Sequence, residues 1–225
     1  MAVVVDFGGG ISTDTLRRVA ALGQQLAARP FAGLREAVPA YTTLTLFYDP
    51  SALGRGAPAY EQVAAALRQH LAAPEAAPAA WAAPETVELP VCYGGEHGPD
   101  LATVAQHTGL TEAEVIARHA APTYLVCMLG FLPGFAYLGG LDAGLATPRR
   151  AVPRAQVPAG AVGIAGVQTG LYPLASPGGW QLIGRTPRRL FDPRQEPPTL
   201  LRASQHLRFV PISALEFRQL NEYEP

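Results

Sequence analysis

The sequence contains no lysine, and all 17 of its basic residues are arginines. This absence excludes a Walker A lysine, a lysine that forms a Schiff base and a lysine that carries biotin. Any phosphate or carboxylate that the chain binds must therefore be held by arginine side chains, backbone amides or helix ends. The arginine-, alanine- and proline-rich composition is also typical of a GC-rich genome, but the exclusion holds whatever its cause.

The sequence also has a small net charge, few cysteines and no long uninterrupted apolar run. The formal net charge is −1, so bulk charge predicts neither a nucleic-acid nor a membrane partner. Two cysteines, Cys92 and Cys127, are too few for a disulfide framework or a cysteine metal cluster, and we expect Cys127 to be a small core side chain. The chain opens without a secretory pattern, and its longest apolar run, at 124–141, is broken by one proline and four glycines. We therefore expect a cytoplasmic protein without a metal site or a membrane span.

The first part of the chain alternates strand and helix patterns. Short apolar runs predict four strands, at 2–7, 34–38, 43–48 and 86–91. Apolar residues at helical spacing predict two helices between them, and the second should bury one face: Tyr60, Val63, Ala64, Leu67 and Leu71. An Ala- and Pro-rich linker is expected at 72–84. The order βαββαβ fits a small ferredoxin-like sandwich, which we expect to be a structural or partner-binding module.

The next part predicts two short helices followed by many strands. Gly109 is expected to end the first helix, and Thr111 with Glu114 forms a capping box that opens the second. The pair resembles a helix-turn-helix in outline, but a helical hairpin packed on a barrel is favoured because the second helix has a single arginine. His107 and His119 lack metal-ligand neighbours, so we expect both at the surface or as caps. Further strands are predicted at 162–165, 170–174, 180–183 and 207–212, which indicates a β-barrel or sandwich.

Positive charge is concentrated between residues 149 and 208, which include nine arginines and two acids. This imbalance predicts a site for a phosphate or a carboxylate. Three segments in this region combine glycine or proline with polar residues, at 147–154, 157–170 and 176–185. A fourth, at 130–140, alternates aromatic residues with glycine and proline, which lets backbone approach a ligand beside rigid walls. None of the four is a P-loop or a dinucleotide fingerprint, and singly each fits an ordinary barrel corner.

Together and in this order, these segments resemble the family formed by the B component of 5-oxoprolinase, also called allophanate hydrolase subunit 1, which includes the kinase inhibitor KipI. Shorter matches extend the resemblance along the chain: Val38-Pro-Ala-Tyr41, Tyr48-Asp-Pro50, Pro90-Val-Cys-Tyr-Gly-Gly95, Gly98-Pro-Asp100, Leu190-Phe-Asp192 and Arg208-Phe-Val-Pro-Ile212. The element order of the first part predicts a small ferredoxin-like domain at 1–85, and the whole is expected to be an α+β chain. For residues 86–225 the resemblance implies a cyclophilin-like β-barrel domain, in agreement with the strand pattern.

The resemblance also implies partners and a cofactor. The C component of 5-oxoprolinase would bind this chain directly, and the pair would use ATP, with magnesium, to activate 5-oxoproline. The third protein of the enzyme, its A component, would complete ring opening to L-glutamate. The resemblance transfers no catalytic residue to this chain. We expect the isolated chain to be inactive, because it has no lysine, no P-loop and no paired acid–base constellation.

Candidate binding residues follow from the chemistry of lactam activation, which develops negative charge on oxygen. We expect anion contacts from Arg150, Arg154 and Arg185, and hydrogen bonds from Gln168 and Thr169. A pocket wall or a partner surface is expected from the aromatic loop and a nearby tryptophan: Phe131, Pro133, Gly134, Phe135, Tyr137 and Trp180.

Other functions stay open. One is a KipI-like inhibitor of a sporulation-type histidine kinase, in which the aromatic loop would be a protein-docking patch. Another is the carboxyltransferase component of a urea carboxylase-like system, which needs a biotin carrier on another chain. A prolyl isomerase follows from the barrel alone, and fold does not confer function. Neighbouring genes separate these possibilities, since homologues of the A and C components favour the oxoprolinase and a histidine-kinase operon favours the regulator.

Overall fold

The computed structural model of the chain describes residues 1–9, 13–72 and 86–223. Contacts group the chain into two compact units, Met1–Ala83 and Pro84–Pro225. The linker predicted at 72–84 falls almost wholly outside the described residues, since only Ala72, the last residue of a helix, is included. Each unit is described separately below.

The described residues of the first unit form three strands and two α-helices. Its elements are β1 (Ala2–Asp6), α1 (Thr13–Ala28), β2 (Leu34–Pro39), β3 (Thr43–Tyr48) and α2 (Ala59–Ala72). The strands form an antiparallel sheet in the order β1-β3-β2. Alternate residues of β3 are buried and join apolar residues of both helices in one core: Val19, Leu22, Leu26, Leu44, Leu46, Tyr48, Val63 and Leu67.

The buried face of α2 is narrower than the sequence predicts. Val63 and Leu67 are buried, whereas Tyr60 is 63% exposed and Leu71 is 54% exposed. These two lie in the first and last turns of the helix, each one turn beyond the buried pair. A helix packed by one face buries the centre of its apolar stripe best, so the spacing alone overestimated the face.

The second unit is built on a closed barrel. Its seven strands are β4 (Val87–Tyr93), β5 (Tyr124–Leu129), β6 (Ala136–Gly139), β8 (Ala161–Ala165), β9 (Gln168–Leu171), β11 (Gln181–Arg185) and β12 (His206–Ile212). They follow the order β11-β4-β12-β5-β6-β9-β8, and β8 pairs back onto β11. A separate two-stranded ribbon is formed by β7 (Arg154–Val157) and β10 (Ser176–Gly178). The expected fold class, a mixed chain with a β-barrel, is confirmed.

The strand β4 does not complete the small sheet of the first unit. It pairs in parallel with β12 and antiparallel with β11. Its inward residues Leu89 and Val91 are fully buried in the barrel core, and Leu89 lies beside Phe209 of β12. The last element of the predicted βαββαβ order therefore belongs to the barrel, because both edges of this strand are paired there.

Three helices accompany the barrel: α3 (Leu101–Thr108), α4 (Glu112–Ala120) and α5 (Ala214–Tyr223). Gly109 ends α3 with a φ of 70°, and Thr111 and Glu114 form both hydrogen bonds of a capping box at the start of α4. Both predicted helix boundaries are confirmed. Among the residues that the structure describes, no helix combines the length and the apolar character that crossing a bilayer requires.

A second apolar cluster covers the outer face of β6, β8 and β9. We call it the outer aromatic layer; it consists of Phe135, Val157, Ala161, Ala165, Tyr172, Trp180 and Leu182. Trp180 lies directly on two glycines, since a Cβ atom added at Gly170 would be 2.9 Å from its ring and one at Gly163 would be 3.0 Å from its Cβ. These glycines leave room for the large side chain to pack directly against the barrel strands.

Candidate functional site

A buried carboxylate joins two of the predicted arginines. Asp100 precedes α3 and is 2% exposed. Its Oδ1 atom accepts hydrogen bonds from Arg150 Nη1 at 3.0 Å and from Arg154 Nη2 at 2.7 Å. Its Oδ2 atom accepts one from the backbone N–H of Leu182 in β11 at 2.7 Å. Two separate stretches of the second unit, at 150–154 and at 182, therefore converge on Asp100, and we call Asp100, Arg150 and Arg154 the Asp100 cluster.

The Asp100 cluster carries more positive than negative charge. One carboxylate faces two guanidinium groups, whose side chains are 36% and 21% exposed. Charge-assisted hydrogen bonds to Asp100 hold both guanidiniums in place. An anion approaching from solvent therefore meets two prearranged cations and only one competing carboxylate.

Three buried atoms of this region have no hydrogen-bond partner among the described residues. They are Arg150 Nε, Arg154 Nη1 and Gln181 Oε1. Buried polar groups are ordinarily paired, so unpaired donors and acceptors indicate a place where a polar group binds.

Sequence reasoning missed Asp100 and Gln181. In the sequence, Asp100 stood out only as the last residue of the Gly98-Pro-Asp100 match. Gln181 follows Trp180 in the 176–185 segment, and nothing in the sequence assigned it a role. Nothing local shows that Asp100 binds side chains 50 and 54 residues away.

The third predicted anion contact, Arg185, lies in a different environment. Its Nε donates to the carbonyl oxygen of Ala159 at 2.8 Å, and its guanidinium carbon is 5.8 Å from the centre of the Phe217 ring. No hydrogen bond or ion pair within the described residues joins Arg185 to Asp100. The structure therefore brings Arg150 and Arg154 together and places Arg185 against α5.

Of the two predicted hydrogen-bonding residues, only Gln168 reaches the surface. Gln168 is partly exposed at the start of β9, next to the exposed Val167. Thr169 is fully buried, and its hydroxyl donates to the carbonyl oxygen of Gly163 at 3.0 Å. The hydroxyl oxygen also lies 3.0 Å from His119 Nε2, so the hydroxyl proton and one lone pair are already used inside the barrel.

The prediction that His119 is a surface or capping residue is wrong, whereas His107 is exposed as expected. His119 is fully buried, stacks on Phe209 with ring centres 4.7 Å apart and lies 2.8 Å from the Tyr93 hydroxyl through Nδ1. Because the Thr169 proton goes to Gly163, His119 Nε2 must donate to Thr169 and Nδ1 must accept from Tyr93. Burial lowers the pKa of His119 to about 3. The imidazole is therefore a neutral bridge within the core.

The predicted aromatic wall divides into buried and exposed members. Phe135 and Trp180 are 1% and 5% exposed and belong to the outer aromatic layer, with ring centres 5.6 Å apart. Gly134 is buried and Tyr137 is partly buried. Phe131 and Pro133 are exposed, and Phe131 is 64% exposed in a left-handed backbone conformation with a φ of 71°. Only the tip of this loop therefore presents apolar groups to a partner.

The two cysteines are free and buried. Burial raises the pKa of Cys127 to about 12 and also raises the pKa of Cys92. Cys127 is the core side chain that its strand predicts, and neither thiol is a ready nucleophile. Within residues 1–9, 13–72 and 86–223, no three His, Cys, Asp or Glu side chains are grouped as a metal ion requires.

Comparison with known proteins gives a consistent family assignment. Residues 1–201 match the model of the carboxyltransferase domain, subdomain C and D. A curated relative from Bacillus subtilis (strain 168), which is named as the B component of 5-oxoprolinase, is 44% identical over 226 residues, covering 98% of this chain and 93% of the relative.

Two solved structures are similar in sequence and in fold. The structure of TTHA0988 is 41% identical with a TM-score of 0.80; the match covers 95% of this chain but only 40% of that protein. A conserved uncharacterized protein from Pyrococcus horikoshii is 45% identical with a TM-score of 0.60, and the match covers 96% of both chains. The chain therefore corresponds to a whole protein in one case and to less than half of a longer protein in the other.

Proposed function

Because this chain belongs to the family of carboxyltransferase domains, subdomain C and D, we propose that it is the B component of an ATP-dependent 5-oxoprolinase. In this proposal it binds the C component, and the pair activates 5-oxoproline with ATP and magnesium in the cytoplasm. The third protein, the A component, completes the opening of the ring to L-glutamate. The carrying observation is the 44% identity to the corresponding Bacillus subtilis 5-oxoprolinase protein over 98% of this chain.

The Asp100 cluster supplies the chemistry that this reaction needs from the chain. A lactam is a stable amide, and phosphorylation of its carbonyl oxygen develops negative charge that must be stabilised. Arg150 and Arg154 are held by Asp100 and remain partly exposed, so they bind the substrate carboxylate or the transferring phosphoryl group. Prearranged guanidiniums stabilise this charge without reorganisation during the reaction.

The other predicted site residues receive different roles in this proposal. Gln168 remains a polar contact at the edge of β9, while Thr169 supports the barrel interior through His119. Arg185 fixes the 159–160 turn and α5. Phe131 and Pro133 form an apolar tip that binds the C component.

A coupled assay of ATP hydrolysis with the three purified proteins tests the proposal. We expect this chain alone to release no appreciable phosphate, and the mixture with the C and A components to hydrolyse ATP faster when 5-oxoproline is added. Glutamate should appear in step with the phosphate. If all three proteins together form a complex and neither product rises with 5-oxoproline, the proposed function is wrong.

A further inference from the structure

The side-chain amide of Gln181 has a fixed orientation and one unused end. Gln181 begins β11 and is 7% exposed. Its Nε2 donates to the carbonyl oxygen of Pro148 at 2.9 Å. A carbonyl oxygen can only accept, so the amide nitrogen must face Pro148 and Oε1 must face the other way. Oε1 is buried and accepts no hydrogen bond from any described residue, so this side of the amide lacks a donor.

Short backbone links place Gln181 beside the Asp100 cluster. The next residue, Leu182, donates its N–H to Asp100, and the N–H of Arg150 donates to the carbonyl oxygen of Gly179 at 2.8 Å. The carbonyl that Gln181 binds, that of Pro148, lies two residues before Arg150. The segment that carries Gln181 and the segment that carries Arg150 therefore run side by side.

The unpaired atoms of this region have complementary chemistry. Arg150 Nε and Arg154 Nη1 are donors, whereas Gln181 Oε1 is an acceptor. A ligand that satisfies all three must carry an anionic or carbonyl oxygen close to an N–H group. A cyclic amide with a carboxylate on the carbon next to its ring nitrogen has this arrangement, because the N–H and the carboxylate are separated by one carbon atom.

We propose that Gln181 is a specificity residue, whose Oε1 accepts the ring N–H of 5-oxoproline while Arg150 and Arg154 bind the neighbouring carboxylate. The proposal rests on the proposed function and adds how the substrate is selected. The arginine side chains are partly exposed, so the carboxylate reaches them first, and the ring N–H then meets the buried amide. A lactone of the same shape offers no N–H and leaves Oε1 unpaired, so the site rejects it.

The test compares 5-oxoproline with its ring-oxygen analogue, 5-oxotetrahydrofuran-2-carboxylate. Kd values are measured by calorimetry on the complex of this chain with the C component, without ATP. In the wild-type complex we expect the lactam to bind at least roughly tenfold more tightly than the lactone. In the Gln181→Met complex the ratio should fall to about one through weaker lactam binding, with lactone binding little changed. Gln195→Met, a change at an exposed glutamine of the same unit, should keep the wild-type ratio.

The outcomes separate this inference from the proposed function. Equal binding of lactam and lactone to the wild-type complex overturns the role of Gln181 without any variant. An unchanged ratio in Gln181→Met, in a complex whose wild type hydrolyses 5-oxoproline, also overturns it and leaves the proposed function intact. A wild-type complex that neither binds nor hydrolyses 5-oxoproline contradicts both.

Discussion

At the scale of single residues, Arg154 shows how one side chain serves a structural and a binding role together. Its Nη2 binds Asp100 at 2.7 Å, and its Nη1 is buried without a partner among the described residues. A planar guanidinium can donate hydrogen bonds from two of its nitrogens to two different acceptors. The ammonium group of lysine, on its flexible stem, does not reproduce this geometry. Arg154 therefore anchors the cluster through one nitrogen and leaves the other for an anion.

We expect Arg154→Lys to lower kcat/KM for 5-oxoproline at least roughly tenfold in the full complex, which equals ~1.4 kcal/mol, the loss of about one charged hydrogen bond. Steady-state kinetics with the three proteins of the enzyme measure this effect. Arg202→Lys, a change at an exposed arginine of the same unit, serves as the control. A variant that melts several degrees lower but keeps normal kinetics in its folded fraction would show that Arg154 is structural only.

His119 predicts how stability depends on pH. Burial lowers its pKa to about 3, whereas histidine in an unfolded chain titrates near roughly 6.5. Between these values the unfolded chain binds the proton more readily than the folded chain, so acid favours unfolding. The stabilisation is complete above about pH 6.5 and is lost as the pH falls toward 3, at up to about 1.4 kcal/mol per pH unit.

Urea unfolding between pH 4 and pH 7 measures this dependence. The free energy of unfolding of the wild type should fall with acid more steeply than that of His119→Gln, which carries no titrating ring. His107→Gln, at an exposed histidine on α3, is the matched control variant. Parallel slopes for the wild type and His119→Gln would show that the folded chain binds this proton as readily as the unfolded chain, and would contradict the lowered pKa.

At the scale of elements, the contact of Trp180 with the barrel wall depends on glycine in β9. A Cβ atom at Gly170 would lie 2.9 Å from both the Trp180 ring and the carbonyl oxygen of Ala136. The Ala136 oxygen belongs to the neighbouring strand β6 and cannot move without disturbing the sheet. We expect Gly170→Ala to lower the free energy of unfolding by roughly 1–3 kcal/mol, as overpacking does. Gly130→Ala is the matched control, because its new methyl group would meet only the flexible end of Met128 at 3.4 Å.

Urea unfolding followed by tryptophan fluorescence measures both glycine variants. Equal midpoints for Gly170→Ala and Gly130→Ala would mean that the outer aromatic layer accommodates the added methyl group without a loss of stability.

The elements also show what the sequence can and cannot predict. Helix caps were predictable because the capping box of Thr111 and Glu114 uses residues three positions apart. Strands with short apolar runs were predictable, whereas the short strands β6, β7 and β10, in or next to the glycine- and proline-rich segments, were not. The sheet that β4 joins was not predictable, because a strand pattern does not say which sheet the strand belongs to. The burial of His119 was not predictable either, because its partner Thr169 is 50 residues away. The same holds for the candidate binding residues. The concentration of positive charge pointed to the arginines, but no local pattern pointed to Asp100, the carboxylate that binds Arg150 and Arg154.

At the scale of the whole molecule, the exposed loop tip predicts association. Phe131 is 64% exposed and holds a left-handed backbone conformation, which is unfavourable by roughly 1–2 kcal/mol for a residue other than glycine. A strained and exposed aromatic side chain is more easily explained by contact with a partner than by the stability of this chain alone.

We expect this chain and the C component to co-elute in gel filtration at micromolar concentration. Phe131→Gly should weaken that complex while leaving the melting temperature of the isolated chain unchanged or higher, because glycine adopts the same backbone conformation freely. Tyr60→Ala, at an exposed aromatic residue of the first unit, is the control. Two separate peaks for the wild-type proteins would contradict the association, and normal binding by Phe131→Gly would exclude the loop tip.

The parallel pairing of β4 with β12 has a consequence for biosynthesis. These strands are neighbours in the barrel, yet β4 leaves the ribosome first among the barrel strands and β12 leaves it last. Until β12 has emerged, the inward residues of β4 and β5 lack a shared neighbour, and the barrel stays open along one seam. A nascent chain that stalls before residue 206 therefore exposes the unpaired edges of apolar strands, which makes it prone to aggregation.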